Sequence, residues 1–199
     1  MPNGPYIVKN SNNLTNTKGK LESKETMALC RCGHAQTKPY CDGTHGKIGF
    51  NDKKLAGATP QARREFKGKE ITISDNPGVC SHAGFCDGNS PEVFYTWENK
   101  TRISNPNKGK TEKTMETIKK CPSGALAYKK DGKMHDNFHS VEEIHVSKDG
   151  PYFVRGSIKF TAEKPDSLEH YTLCRCGASK NKPFCDGQHR HSGFKDEKN

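Results

Sequence analysis

The sequence predicts a small α+β protein: two copies of a β-rich module, a different α+β unit between them, and side-chain staples in place of one large core. Three observations lead there. Only 30% of the 199 residues are hydrophobic, too little for a single continuous core. There are nine cysteines, an odd count that argues against a closed disulfide framework and for metal staples in a reducing compartment. Finally, residues 29–50 and 173–194 agree at 13 of 22 positions without a gap, an internal repeat.

The repeat starts upstream of its cysteines. "GPYIVK" at 4–9 answers "GPYFVR" at 150–155. Tyr6 and Val8, like Tyr152 and Val154, alternate as a strand requires, while Ile7 and Phe153 make the other face apolar as well. Each copy then reads as a polar loop, a short strand running into C-x-C, and the cysteine block. Residues 1–50 form the first module and 146–199 the second. Residues 51–66 lack a consistent apolar period and read as a linker. The segment 67–145 is its own α+β unit. In it "KGKEITIS" is a half-buried strand with Ile71 and Ile73 inward. "TEKTMETIKK" is a helix capped by Thr111, with Met115 and Ile118 on one face and Pro122 closing it. "ALAYKKDGKMH" is a hairpin turning at Asp131-Gly132. One repeated module has too few apolar residues to close a core, so the two are expected to pack together as an intramolecular pseudo-dimer within a monomer, with the inserted unit docked outside.

The repeated block, "CRCGHAQTKPYCDGTH" and "CRCGASKNKPFCDGQH", carries the chemistry. On an extended segment Cys30 and Cys32 point the same way, and on a helical turn Cys41 and His45, at i and i+4, share one face. Pro39 fixes the chain entering that turn, Asp42 can satisfy orphan N–H groups at its start, and Gly43 leaves room for backbone near a bulky centre. Cys174, Cys176, Cys185 and His189 repeat the set. Three thiolates and an imidazole suit structural zinc as well as iron. Zinc knuckles, however, generally use C-x(2–4)-C, whereas a [2Fe–2S] rhomb needs two ligands per iron, which a strand pair and a helix pair supply.

These residues resemble the CDGSH iron–sulfur (NEET) domains, whose signature is C-x-C-x2-[ST]-x3-P-x-C-D-G-[SAT]-H. The resemblance covers both copies, about half the chain. It implies that Cys30, Cys32, Cys41 and His45 hold one [2Fe–2S] cluster and Cys174, Cys176, Cys185 and His189 a second, with each C-x-C pair on the inner iron. Ala35 replaces the signature Ser/Thr in the first copy, and Gln188 the small residue in the second. Unequal potentials are the expected result, because hydrogen bonds to cluster sulfur help set them. His34 and His191 lie outside the signature and read as exposed polar residues.

The remaining cysteines, Cys80, Cys86 and Cys121, sit in "CSHAGFCDGNSPEVF" and "CPSGAL". Cys80 and Cys86 fall on the first and third positions of a C-x2-C-x2-C run, and Cys121-Pro122 is the distant ligand. The segment resembles single-cluster ferredoxins, especially a divergent mono-cluster type. Three thiolates suit a [3Fe–4S] cluster, or a [4Fe–4S] cluster whose fourth ligand is not cysteine. His82 is either that ligand or a nearby hydrogen-bonding group.

No nucleophile–base pair or phosphate loop is present, so an electron carrier is expected rather than an enzyme. Cluster storage or transfer, or redox and pH sensing through the histidine ligands, is the alternative, with an apo-acceptor as partner. A structural zinc protein binding nucleic acid is the rival class. The net charge is +10, but the lysines are scattered among 23 acidic residues and read as a solvated surface that decides nothing alone; a basic surface would favour an acidic redox partner, and no nucleic-acid partner is expected. No apolar run reaches membrane-span length and "MPNGPYIVKN" has no signal-peptide character, so a cytoplasmic protein off the membrane is expected.

Overall fold

The computed structural model describes residues 1–98 and 101–199. The first copy contributes β1 (Tyr6–Lys9), β2 (Leu14–Asn16), β3 (Gly19–Lys20), β4 (Thr26–Leu29) and a one-turn helix α1 (Thr44–Lys47). The middle of the chain forms β5 (Arg64–Lys67), β6 (Thr72–Asp75), α2 (Phe85–Asn89), α3 (Pro91–Phe94), β7 (Thr96–Glu98), β8 (Thr101–Ile103), α4 (Thr111–Lys119), β9 (Leu126–Lys130) and β10 (Lys133–His135). β11 (Glu143–Val146), β12 (Tyr152–Arg155) and β13 (His170–Leu173) follow. Among the described residues no helix is long and apolar enough to cross a membrane.

Each "GPY" strand pairs antiparallel with its own copy's cysteine-leading strand: Tyr6 opposite Leu29, and Tyr152 opposite Leu173. The copies then join. β2 of the first copy adds in parallel to β11, giving a five-stranded sheet of order β13-β12-β11-β2-β3. β11 straddles the boundary read at 145/146, with residues 143–145 in the span read as the inserted unit, yet its ladder partners are β12 and β2. Its buried Ile144 and Val146 enter one apolar cluster with Tyr6, Leu14, Met27 and Leu29 of the first copy and Tyr152, Val154, Tyr171, Leu173 and Phe184 of the second. This core is shared, as the scarcity of apolar residues requires. Ile7 and Phe153 part company here. β12 is an inner strand and buries Phe153, whereas β1 lies in a two-stranded ribbon that leaves Ile7 exposed.

Two tyrosines fasten the copies reciprocally. Tyr6 Oη lies 3.0 Å from the carbonyl of Cys174 and 2.9 Å from that of Pro183. Tyr152 Oη lies 2.7 Å from the carbonyl of Cys30 and 3.1 Å from that of Pro39. Their rings meet edge to face, 6.1 Å between centroids. Cys32 and Cys176 form an antiparallel bridge. The glycine after each is in the left-handed region, and a Cβ on Gly33 would lie 2.5 Å from the Cys176 oxygen, as one on Gly177 would from that of Cys32. No other residue fits either place.

The inserted unit is a four-stranded sheet, β10-β9-β6-β5, with α3 and α4 packed on it around Ile73, Val93, Phe94, Ile118 and Tyr128. The hairpin turns at Asp131 and Gly132, both with positive φ, as a two-residue turn of this hand demands. β5 begins inside the segment read as linker. With Phe66 its one apolar residue, this edge strand has no period to detect. Helix α4 includes its expected cap, Thr111, as its first residue; the N-cap lies one position earlier, at Lys110, and makes no side-chain cap. Thr114 and Thr117, both buried, donate instead to carbonyls one turn back.

Two expectations follow. Tyr152→Phe removes a buried donor facing two carbonyls and should lower stability by about 1–3 kcal/mol in urea unfolding. The fully buried His170 has its pKa lowered from 6.5, because burial outweighs the Glu169 carboxylate 2.8 Å away. An unfolded chain therefore takes up a proton that the folded one refuses. Stability should be held above pH about 6.5 and lost as pH falls through the lower folded value. Melting temperature should drop between pH 7 and 5, and less so in His170→Gln.

Candidate metal centres

All nine cysteines are unbridged, and they fall into three groups of three. In the first block the chain doubles back on β4: the Cys30 N–H donates to the Pro39 carbonyl at 2.8 Å and the Cys41 N–H to that of Ala28 at 2.8 Å. These hydrogen bonds bring the strand pair near the turn pair. Cys30 and Cys32 sulfurs stand 3.7 Å apart, and Cys41 Sγ is 3.3 Å from His45 Nδ1. The second block repeats this, with 3.8 Å between Cys174 and Cys176 sulfurs and 3.5 Å from Cys185 Sγ to His189 Nδ1. His189 lies in a single 3-10 turn, Gln188–Arg190, where its counterpart lies in α1.

The turn is built by Asp and Gly. Asp42 accepts from the N–H of Thr44 at 3.0 Å and of Gln36 at 2.7 Å, and Asp186 from Gln188 at 3.1 Å and Lys180 at 2.8 Å. The hydroxyl and amide of Thr44 and the amide of Gln36 hold the Asp42 carboxyl down at about 2. Gly43 is needed for its φ of 84°, since no atom crowds it, while Gly187, at 85°, is crowded by the ring of His82. The N–H groups of Gly43 and Gly187 point at Cys41 and Cys185 sulfur, at 3.5 and 3.4 Å. Ser179, which answers Ala35, gives its hydroxyl to the Phe184 carbonyl at 2.7 Å and its backbone N–H to Cys174. In the first copy Thr37 takes over that hydroxyl role, donating to the Tyr40 carbonyl at 3.1 Å. The Ala35 departure thus removes no hydroxyl from sulfur.

The donors are paired rather than gathered on a point. Among the described residues, no three histidine, cysteine or carboxylate side chains converge closely enough to hold one metal ion. A single tetrahedral zinc asks for such convergence. Burial pushes Cys32 up to about 11, while the hydrogen bond between Cys174 and Cys176, with burial behind it, raises Cys174 and lowers Cys176 to about 6. Burial also lowers His189, keeping its imidazole neutral and available as a ligand.

Cys80, Cys86 and Cys121 line a cavity of about 560 Å³ in the inserted unit, with His82, Arg64, Arg102 and Arg190 among its walls. Cys80 ends a 3-10 turn, Cys86 lies in α2, and Cys121 follows α4. Burial raises Cys80 to about 12 and Cys86 to about 11, the latter opposed by Arg102, whose Nη2 lies 3.4 Å from the sulfur. His82 gives Cys80 its backbone N–H, while its ring lies over Gly187.

Family models match three parts of the chain. The "iron-binding zinc finger CDGSH type" matches residues 3–46 and 149–190, and the "divergent 4Fe-4S mono-cluster" matches 66–131. The chain carries two CDGSH domains around a divergent 4Fe-4S mono-cluster domain. Iron–sulfur cluster binding follows from these matches. No curated protein and no solved structure matches.

Each CDGSH domain also has a clamp that the motif reading missed. The residue between the two C-x-C cysteines is arginine in both. Arg31 is buried, donates to the carbonyls of Gly4 and Met1, pairs with Asp52, and lies 5.2 Å over the Tyr6 ring. Arg175 donates to Gly150 and Ser147, pairs with Asp196, and lies 4.9 Å over Phe194 and 5.7 Å over Tyr152. Extending the repeat two residues past Phe50 and Phe194 would have found both aspartates. Arg102 gave no signal, because nothing in sequence ties it to Cys86. Removing its charge should favour the oxidised mono-cluster centre. Arg102→Gln is expected to lower that potential by on the order of 50 mV in a redox titration followed by electron paramagnetic resonance.

Proposed function

We propose that this protein is a one-electron carrier, not an enzyme, with three iron–sulfur centres in one chain. Cys30, Cys32, Cys41 and His45 hold one [2Fe–2S] cluster, Cys174, Cys176, Cys185 and His189 another, and Cys80, Cys86 and Cys121 a [3Fe–4S] or [4Fe–4S] cluster. The observation that carries this is the pairing of donors: two thiols on the strand end and a thiol with an imidazole on the turn, twice over. Such a set gives each iron of a rhomb two ligands. When bound, the clusters supply one-electron exchange.

The two CDGSH domains act as an intramolecular pseudo-dimer. Reciprocal Tyr6 and Tyr152 hydrogen bonds and the shared core support this, because they tie each block's backbone to the other domain. A rigid frame suits electron exchange, which calls for little rearrangement. The basic surface, with its net charge of +10, suits an acidic redox protein as partner. Donation of a cluster to an apo-acceptor is the second reading. It is favoured by the partial exposure of Cys41 and His45, and by imidazole being a ligand that acid removes.

Anaerobically purified protein should be red-brown, contain iron and acid-labile sulfide, and give signals from two cluster types on reduction. Colourless protein with zinc in place of sulfide would overturn the reading. His189→Cys should make one [2Fe–2S] centre more resistant to acid bleaching and lower its potential. Unchanged bleaching between pH 7 and 5 would show that His189 is not a ligand.

A further inference from the structure

The two CDGSH domains have the same donors in opposite surroundings. In the second, Cys185 is 2% exposed and Gly187 is buried, whereas Cys41 is half-buried and Gly43 exposed. The cover comes from the mono-cluster domain and the segment before it. The His82 ring lies against Gly187 so closely that a Cβ there would come 2.4 Å from its Cδ2. His82 itself has a φ of 53°, which turns the chain toward this contact, and Arg190 Nη1 lies 3.5 Å from its carbonyl.

Further along the second block, Asn181 is buried. It donates to the Gly78 carbonyl at 2.7 Å and accepts from Gln61 at 2.8 Å, while the Leu55 N–H reaches the Lys180 carbonyl at 2.9 Å. The matching Gln36 and Thr37 of the first block are exposed. This extra cover is on the turn side alone. On the C-x-C side the order reverses, with Cys32 buried and Cys176 half-buried. His82 also lines the cavity that holds Cys80, Cys86 and Cys121, so the ring stands between the mono-cluster site and the second CDGSH turn.

Resting on the three-centre reading above, we propose that the two CDGSH centres are functionally unequal. The second is covered by His82 at its Cys185–Gly187 turn and adjoins the mono-cluster site, although His189 itself is half-buried like His45. The first, whose Cys41–Gly43 turn is uncovered, is the port at which an acidic redox protein, the kind the net charge of +10 suits, meets the chain. In this arrangement electrons pass among the mono-cluster, second and first centres in that spatial order, and only the last has an open turn. His82 is a positioning residue: it shields, and it ligates nothing.

The test is chelator-driven bleaching of the loaded full-length protein at pH 7.5, followed in the [2Fe–2S] absorption bands. Iron and sulfide are quantified first, so that failure to load, which would sink the three-centre reading, is separated from failure of this one. Wild type should bleach in two phases differing by about tenfold or more, the fast one assigned to the first centre by its absence in Cys41→Ser. His82→Gly keeps the positive φ and removes the ring, so it should speed the slow phase severalfold and leave the fast one alone. His82→Asn, which also tolerates that φ, should fall between. Equal rates for both centres in wild type, or a slow phase unmoved in both variants, would overturn the proposal. So would a changed mono-cluster resonance in His82→Gly, because that would make His82 a ligand.

Discussion

Much of this molecule hangs on two phenolic hydroxyls. The side chains of Tyr6 and Tyr152 cross the shared core and meet two carbonyls within the other copy's cysteine block. Neither block therefore has a backbone position of its own making. The strand carrying Cys30 and the bend carrying Pro39 are held at one point by a residue more than a hundred positions away, and the same is true of Cys174 and Pro183. A buried hydroxyl with no partner is costly, so the contact is as much a demand of the tyrosines as a service to the cysteines. The arginine between each cysteine pair completes the frame from the opposite side. It ties the strand entry to the aspartate in the tail and lays its guanidinium over aromatic rings. The cost of taking both charges out of water offsets much of the attraction in such a pair, so it adds little stability of its own.

How the sequence announced this is uneven, for physical reasons. The donors were legible because their spacing is set by strand and turn geometry within sixteen residues. The duplication was legible because both copies keep those constraints. The hairpin at Asp131-Gly132 follows local rules and was equally plain, whereas of the strand read at 67–74 only Lys67, the end of β5, and the part from Thr72 on hold, because residues 68–71 turn the chain from β5 into β6. What could not be read was anything settled between distant segments. β11 joins the flanking copies because β2 offers it an edge, which no local pattern states. β5 carries a single apolar residue and exists because β6 needs a neighbour. Arg102 finds Cys86 only once β8 has been placed.

His82 shows the limit from the other direction. Its neighbourhood in sequence suggests a role toward the cysteine two places before it, and its backbone plays one. Its ring, however, is directed by a positive φ toward a glycine in another domain. Glycine at that position is demanded first by the turn, and the bare backbone it leaves is what the imidazole can lie upon. One constraint of the turn has become the docking surface of a different domain.

The crossing at Gly33 and Gly177 has a consequence for how the duplicate halves can change. Each glycine lacks a Cβ because the other half's carbonyl occupies that space, so neither can drift without its twin yielding. Residues a few places on, 34–37 against 178–181, face different neighbours and have indeed gone separate ways. The pair of halves is thus free to specialise at its rims while remaining welded at its axis.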